Sequence, residues 1–261
     1  MPGLVLLGAG LPLVGYLGLL VWIARGAHVR LRWPVAAFAL VWGAGIAAPV
    51  AGLVNELVQV RLRPGGWWLT ATGVPIIEEA AKAGVLLALV AVWPTETRGL
   101  RAGIVAGGLI GLGFGFTENV GYFLLARVAE GPAGLVRAVA VRGLLEGAVH
   151  PVFTASTGAG LGVERATARG RGRLRPTVVG FGAAVAQHGL WNGVASRAVN
   201  DILCGGVGPS GVCNGSPAPS RLFAVPLIVA AALAPGVVTL FTLARRAEPS
   251  ADGADLQDEG H

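Results

Sequence analysis

Long apolar runs, separated by short stretches rich in arginine, make up most of the chain. Each run reaches about 20 residues, the length that an α-helix needs to cross the hydrocarbon core of a bilayer. Their repetition along the sequence predicts an all-α protein, a polytopic transmembrane bundle of about seven spans. The predicted spans cover residues 4–24, 34–57, 68–93, 102–126, 135–162, 177–199 and 222–244.

The arginines between the runs predict the orientation of the bundle. Loops 25–33, 94–101 and 163–176 contain three, two and five arginines, the end of the last span contains two, and the opposite loops contain fewer. Cytoplasmic loops retain such residues, so we expect the N-terminus outside and the C-terminus in the cytoplasm. Residues 1–247 would form the bundle, and the acidic segment 248–261 a disordered cytoplasmic tail.

Composition supports a membrane location. Hydrophobic residues make up 54% of the chain and charged residues only 13%, whereas soluble domains average about 25% charged residues. The net charge of +6 comes from arginines scattered between apolar runs, which is not the basic face that nucleic-acid binding needs. The bias toward Arg, Gly, Ala and Val is typical of a GC-rich bacterial genome. We therefore expect a multi-pass protein of the bacterial plasma membrane.

Two cysteines fall in one predicted external loop. Cys204 and Cys213 are nine positions apart in a segment rich in glycine, proline and serine. The oxidising side of the membrane permits a disulfide between them. Two free thiols are an equally good interpretation, and metal binding by two lone cysteines is much weaker.

Several ionisable residues lie deep inside the predicted spans. A charged side chain at the bilayer centre costs about 2.5–3.5 kcal/mol on insertion scales, so such residues face the protein interior and are functional candidates. Their presence in four consecutive spans at similar depth predicts one polar site. The set is Glu78, Glu79 and Lys82 in the third span, Glu118 in the fourth, His150 in the fifth and His188 in the sixth.

Helical spacing indicates which of these side chains share a face. Glu78 and Lys82 are four residues apart and can pair, while Glu79 is rotated by about 100° and is free to serve a different partner. His188 and Asn192 also share a face. Each pair has a purely structural interpretation as well, as an ion pair or as a satisfied buried histidine.

The fourth span carries a glycine at every fourth position. These glycines are Gly103, Gly107, Gly111 and Gly115, and such a ridge lets two helix backbones pack closely. Glu118 lies on the same face, so we expect it to face protein. Structural hydrogen bonding between helices is the alternative role for Glu118.

The fifth span contains a second spaced pair of charges. Arg142 and Glu146 are four residues apart, and we expect them to pair on the helix face.

The residue types at depth fit a zinc hydrolase. Imidazoles and carboxylates suit zinc, and a catalytic zinc site usually has three protein ligands and an open position for water. Glu118, His150 and His188 supply three such ligands. Glu78 or Glu79 would then take the proton from the attacking water.

Four motifs resemble those of a known protease family. The runs EEAAK (78–82), FGFTEN (114–119), HPVFT (150–154) and HGLWN (188–192) are similar to the motif series of PrsW intramembrane proteases, and they lie in a core of about 68–199. The family is related in fold to CAAX-prenyl-protease and bacteriocin-processing (CPBP) membrane proteases.

The resemblance implies cleavage of protein substrates embedded in the lipid bilayer, such as an anti-sigma factor cut at the outer side of the membrane. It gives Glu78, Glu79, Glu118, His150 and His188 as site residues. The related glutamic-type proteases activate water without a metal, so the resemblance leaves zinc and a metal-free mechanism open.

The two remaining polar residues of the motifs have supporting roles. Lys82 would pair with Glu78, and Asn192 would hold a tetrahedral oxyanion or orient His188. The sequence thus predicts an intramembrane endopeptidase. A proton- or ion-coupled transporter is the main alternative, because buried carboxylates and histidines also form proton relays, and a non-catalytic membrane scaffold is the third.

Overall fold

The computed structural model is helical throughout nearly all of the chain that it describes. The described residues are 2–26, 32–62, 66–145, 149–167, 175–206, 215 and 219–246, and within them there is no β-strand. The all-α prediction is therefore confirmed. The α-helices are α1 (Pro2–Gly26), α2 (Trp33–Trp42), α3 (Ala48–Leu62), α4 (Val74–Val92), α5 (Leu100–Ala138), α6 (Val149–Thr167), α7 (Arg175–Leu190), α8 (Ser196–Cys204) and α9 (Ala224–Arg246).

Four short π-helical segments interrupt or extend these helices. Gly43–Ala47 joins α2 to α3, Leu69–Gly73 leads into α4, Val139–Leu145 follows α5, and Trp191–Ala195 joins α7 to α8. Each widens the helix locally and shifts the phase of the side chains beyond it. Such segments are often found at functional sites, and three of the four lie in or next to the predicted motif core.

In the part of the chain that the structure describes, three helical stretches are long and apolar enough to cross a membrane by themselves. They are Trp33–Arg61, Leu100–Ala138 and Pro219–Arg245. The surface carries many large apolar side chains, among them Leu7, Trp68 and Phe223, which are each at least 70% exposed. A surface of this kind is suited to lipid. Wherever the chain is described, the seven predicted spans fall on helical residues except for three residues at span ends, Trp93, Leu222 and Phe223. The number that cross the membrane stays a prediction.

The glycine ridge of α5 packs directly against α6. The sequence predicted close backbone packing at this ridge but did not identify the partner helix. A Cβ atom on Gly103, Gly107 or Gly111 would collide with a backbone carbonyl group of α6. These carbonyls belong to Gly158, Thr154 and His150. The two backbones are thus in contact along about three helical turns, and this contact fixes the height of α6 relative to α5.

The predicted fifth span, 135–162, is helical wherever it is described. Helix α5 changes direction at Gly131, where φ is 71°, and runs on to Ala138; the π segment Val139–Leu145 follows it, and α6 is described from Val149. The α-to-π change within the span was not predicted, because an apolar pattern does not distinguish the two. Glu146, the tail 248–261 and the pairing of Cys204 with Cys213 lie outside the described residues and side chains.

Candidate active site

Six ionisable residues from four helices meet in one buried cluster. Glu78, Glu79 and Lys82 come from α4, and each is at most 6% exposed. The other three are Glu118 from α5, His150 from α6 and His188 from α7. The ridge of α5 leads to this cluster, because a Cβ on Gly115 would lie 3.2 Å from Cδ2 of the His150 ring. The glycine at that position leaves space for the imidazole.

Both carboxylate oxygens of Glu79 have partners. Oε1 accepts a hydrogen bond from Nζ of Lys82 at 2.7 Å and lies 3.0 Å from Nδ1 of His188. Oε2 accepts from the Thr154 hydroxyl at 3.2 Å. The spacing analysis gave Glu78 as the partner of Lys82, but that pair is 3.9 Å apart. Lys82 therefore pairs mainly with Glu79, three residues before it.

Glu78 has one carboxylate oxygen without a hydrogen bond. Its Oε1 accepts a weak hydrogen bond from Nδ2 of Asn55 on α3 at 3.3 Å. Its Oε2 is buried and has no hydrogen-bond partner among the described residues, although Nε2 of His188 lies 3.6 Å away. A buried carboxylate oxygen without a partner is costly, so this atom is available to a ligand.

Glu118, which is held by Arg142, contacts the ring nitrogen of His150 that does not face Lys82. Oε2 of Glu118 lies 2.6 Å from Nε2 of His150 and accepts from Nη2 of Arg142 at 3.1 Å. Nδ1 of His150 lies 3.0 Å from Nζ of Lys82. The expectation that Glu118 faces protein is confirmed. The expected partner of Arg142 was Glu146, which is not described, and the structure pairs Arg142 with Glu118.

Sequence reasoning missed two residues of the cluster. Arg142 was interpreted only as half of a surface pair, although an arginine at that depth was itself a signal. Asn55 was interpreted as part of a polar span end, and nothing in its spacing relates it to Glu78.

The two histidines are held by apolar and aromatic neighbours. Their rings meet edge to face with centroids 5.2 Å apart. Phe153 stacks on His188 at 5.0 Å, and Phe114 lies 5.0 Å from His150 and 3.9 Å below Nζ of Lys82. These contacts restrict the rotation of both imidazoles.

One trio of side chains has the donor set of a catalytic zinc site. Glu78, His150 and His188 each offer a ligand atom, these atoms lie within 4.8 Å of one another, and all three residues are buried. Two imidazoles and one carboxylate are the ligands of several zinc hydrolases. Because Oε2 of Glu78 lacks a hydrogen-bond partner, the residues present fit a metal ion.

The formal charge of the cluster is also consistent with a bound cation. Three carboxylates, Glu78, Glu79 and Glu118, face two cations, Lys82 and Arg142, so that the sum is −3 + 2 = −1 with neutral imidazoles. Uncompensated buried charge is unfavourable. A proton on Glu78 would bring the sum to zero, and a divalent metal ion would change it from −1 to +1, so the negative site attracts either.

Asn192 is not joined to this cluster by a hydrogen bond. It lies half-buried in the π segment Trp191–Ala195, and no hydrogen bond of its side chain is found among the described residues. The wider turn begins directly after Leu190. The four-residue spacing between His188 and Asn192 therefore does not have the geometry of a regular α-helix.

Comparison with known proteins gives one match. The model of the family described as PrsW family intramembrane metalloprotease matches residues 31–241, and this range includes every residue of the cluster. No curated protein and no solved structure matches the chain. Since the family model covers most of the chain, this protein belongs to the PrsW family of intramembrane proteases.

Proposed function

We propose that this protein is an endopeptidase that hydrolyses peptide bonds of membrane-anchored proteins at the cluster around Glu78. The observation that carries the proposal is Oε2 of Glu78, a buried carboxylate oxygen with no hydrogen-bond partner among the described residues that lies 3.6 Å from Nε2 of His188. The remaining carboxylates are occupied by cations and imidazoles, so Glu78 is the group that is open to a ligand.

The proposed metal ligands are Glu78, His150 and His188, with zinc as the metal. A bound zinc ion would polarise the scissile carbonyl and make water more acidic. Glu118 was the expected third ligand, but its Oε2 is already shared by His150 and Arg142. Its role in the proposal is to orient His150, as Glu79 orients His188. A carboxylate behind each ligating histidine is common in zinc sites and raises metal affinity.

Glu79 and Lys82 supply the acid–base chemistry in this proposal. Glu79 takes the proton from the attacking water. Its Oε1 already has two partners, Lys82 and His188, whereas Oε2 accepts from Thr154 alone among the described residues, so Oε2 is the oxygen that takes the proton. Lys82 stabilises the negative charge that develops on the tetrahedral intermediate. Glu79 and Lys82 then return the proton to the leaving amine. The role of Asn192 as an oxyanion donor stays a prediction.

A metal-free mechanism assigns the base differently. Oε2 of Glu78 would then itself accept the proton of the water, with His188 at 3.6 Å as its neighbour and Lys82 as the stabilising cation. Glu78 is essential in both mechanisms, and only the zinc mechanism requires His150 and His188 as ligands.

The biological setting of the proposal extends the same site. The protein would span a bacterial plasma membrane seven times, with its N-terminus outside. Its substrates would be single-span proteins, of which anti-sigma factors are one class. Substrates would reach the cluster through the membrane, because the polar side chains lie between helices whose outer surfaces are apolar.

The experiment that tests the proposal uses the purified full-length protein in nanodiscs. Cleavage of a fluorogenic single-span substrate is measured together with the zinc content per protein. We expect cleavage by the wild type, one zinc per chain, and loss of cleavage in Glu78→Gln.

Glu56→Gln is the matched control for this experiment, since Glu56 is an exposed carboxylate next to Asn55 on α3. Cleavage at the wild-type rate by Glu78→Gln would contradict the site. Full activity without zinc would favour the metal-free mechanism.

A further inference from the structure

Arg142 lies on a segment whose position is fixed by its packing. The π segment Val139–Leu145 packs against α1, where a Cβ on Gly143 would lie 2.7 Å from the carbonyl oxygen of Gly8. A Cβ on Gly8 would in turn lie 2.6 Å from the side chain of Val139. The two glycines allow this close approach, and the segment therefore holds Arg142 at the level of Glu118.

The guanidinium of Arg142 has contacts with three residues of α5. Nη2 donates to Oε2 of Glu118 at 3.1 Å, and Nε donates to Oδ1 of Asn119 at 3.2 Å. The guanidinium carbon also lies 3.7 Å from the centre of the Tyr122 ring. The planar group of an arginine suits such combined donation and stacking better than a lysine does. The contacts fix its orientation toward Glu118.

This arrangement determines which nitrogen of His150 carries the proton. An ionised carboxylate only accepts hydrogen bonds, so the contact of 2.6 Å between Oε2 of Glu118 and Nε2 of His150 requires a proton on Nε2. Nδ1 of the neutral ring is then an acceptor, and it faces Nζ of Lys82 at 3.0 Å. Nδ1 is thus the nitrogen that faces the inside of the cluster.

Removal of Arg142 would weaken this constraint. The side chain of Glu118 is 21% exposed, so without its cation it would turn toward water. A displaced carboxylate no longer holds Nε2 of His150, and the contact of Lys82 with Nδ1 is then the remaining one that selects the tautomer. We propose that Arg142 is a positioning residue, which acts through Glu118 to keep Nδ1 of His150 unprotonated and directed into the active site. The inference rests on the proposed function for the role of that site.

The tautomer is measured by ¹⁵N NMR on protein with labelled histidines, in detergent and after treatment with a chelator. The chain has only four histidines, so a His150→Gln variant assigns the His150 signals. We expect a proton on Nε2 in the wild type and a smaller share of that tautomer in Arg142→Ala, where Lys82 alone still favours it. Arg142→Lys should be intermediate, since a lysine replaces the charge but not the second hydrogen bond or the stacking.

Arg137→Ala is the matched control. Arg137 lies in the last turn of α5 and forms an ion pair with Glu130, so its loss also removes an arginine–glutamate pair, but one with no contact to His150. The control should keep the wild-type tautomer. If Arg142→Ala keeps it too, or if Arg137→Ala changes it equally, the inference is overturned.

Metal affinity and kinetics provide the second measurement. Loss of a residue that orients a metal ligand typically costs about 10- to 100-fold in metal affinity or activity, and we expect this range for Arg142→Ala, with a lower kcat and an unchanged KM. Glu118→Gln combined with Arg142→Ala should be no worse than Glu118→Gln alone, because both act through one carboxylate. Additive losses would contradict the inference.

Two design features keep the outcome clear. If Arg142→Ala does not fold, Asn119→Ala removes only the anchor of Nε, and it should give a smaller shift of the same tautomer equilibrium. The NMR result does not depend on cleavage. A wild type with the expected tautomer but no peptidase activity would therefore contradict the proposed function while supporting the role of Arg142.

Discussion

Glu79 and His188 lie 3.0 Å apart across α4 and α7, although 109 positions separate them in the chain. The contact has a counterpart on the other side of the cluster, where Glu118 lies 2.6 Å from His150. Each imidazole thus has a carboxylate behind one ring nitrogen and directs the other nitrogen toward the cluster. Glu78 is the carboxylate that remains, and this assignment separates the roles of two adjacent glutamates.

We expect Glu78→Gln and Glu79→Gln to fail for different reasons. Glu78→Gln should fold normally and lose cleavage because it removes the proposed metal ligand; in the metal-free mechanism it removes the base, whose loss costs about 10²- to 10⁴-fold in kcat. Glu79→Gln removes the counter-charge of Lys82, which is fully buried. Breaking a buried pair costs about 3–5 kcal/mol, so it should also lower the free energy of unfolding. Thermal unfolding and single-turnover cleavage of both variants check this.

A second substitution tests the assignment of Lys82 to Glu79. Lys82→Met added to Glu79→Gln should recover part of the lost stability, because neither member of the Glu79–Lys82 pair then remains charged without the other. Lys82→Met added to Glu78→Gln should not recover stability, since Glu79 then lacks its cation. Equal behaviour of the two double variants would contradict the pairing.

Metal removal should loosen the contacts between α4, α6 and α7. The proposed ligands Glu78, His150 and His188 come from these three helices. A ligand that binds only the folded state at 100 times its Kd stabilises that state by about 2.7 kcal/mol. We expect a chelator to lower the Tm of the wild type and zinc to restore it. His188→Asn should have a low Tm that neither reagent changes.

Membrane topology is a separate prediction. Single cysteines at Thr95 and Val128, in a background with both native cysteines replaced by serine, lie at exposed positions near opposite ends of α5. We expect a membrane-impermeant maleimide to label position 128 in intact cells and position 95 only after lysis. Labelling of both positions from one side would contradict the crossing of the membrane by α5.

The close packing of the α5 ridge was predictable, although its partner α6 was not, and the arrangement of the charges was only partly predictable. Gly103, Gly107 and Gly111 recur every four residues, so they share one face of the helix whatever its orientation. The ridge was therefore evident in the sequence. Glu78 lies four residues and Glu79 three residues before Lys82, and the rotamers of these side chains decide which glutamate pairs with the lysine. Both spacings permit pairing, so spacing does not distinguish them.

Arg142 and Asn192 show how π segments limit sequence reasoning. Each lies in such a segment, where the spacing rules of the α-helix do not apply. No residue type marks these segments in advance. The family motifs still gave five residues of the cluster, because a motif identifies residues without reference to helical phase. Helical phase affects only which of these residues pair.

The packing of α5 gives a prediction with a matched control on the same helix. Gly107→Ala would place a Cβ against the carbonyl of Thr154, so α6 must move and carry His150 with it. A Cβ on Gly121 meets nothing within 4 Å, and alanine stabilises a helix by about 0.5–1 kcal/mol relative to glycine. We expect Gly107→Ala to lower both Tm and kcat, and Gly121→Ala to preserve kcat with an equal or higher Tm.

Two threonines of α6 allow a test of the hydrogen bond that holds Glu79. Thr154 and Thr157 are both at most 2% exposed, but the Thr154 hydroxyl donates to Oε2 of Glu79, whereas Thr157 has no hydrogen-bond partner for its hydroxyl within the described chain. Valine has nearly the same shape as threonine, so the same substitution removes a hydrogen bond at one site and an unpaired polar group at the other.

The expected results of the two substitutions are opposite. Thr154→Val leaves a buried carboxylate oxygen unpaired, which costs about 1–3 kcal/mol, and it should reduce kcat because Glu79 can rotate away from His188 and Lys82. Thr157→Val should leave kcat unchanged and keep or raise the Tm, since an unpaired hydroxyl is replaced by a methyl group. Thermal unfolding and cleavage rates measured in the same nanodiscs decide it. Equal losses in both variants would mean that α6 tolerates no valine there, and the contact with Glu79 would then have no special role.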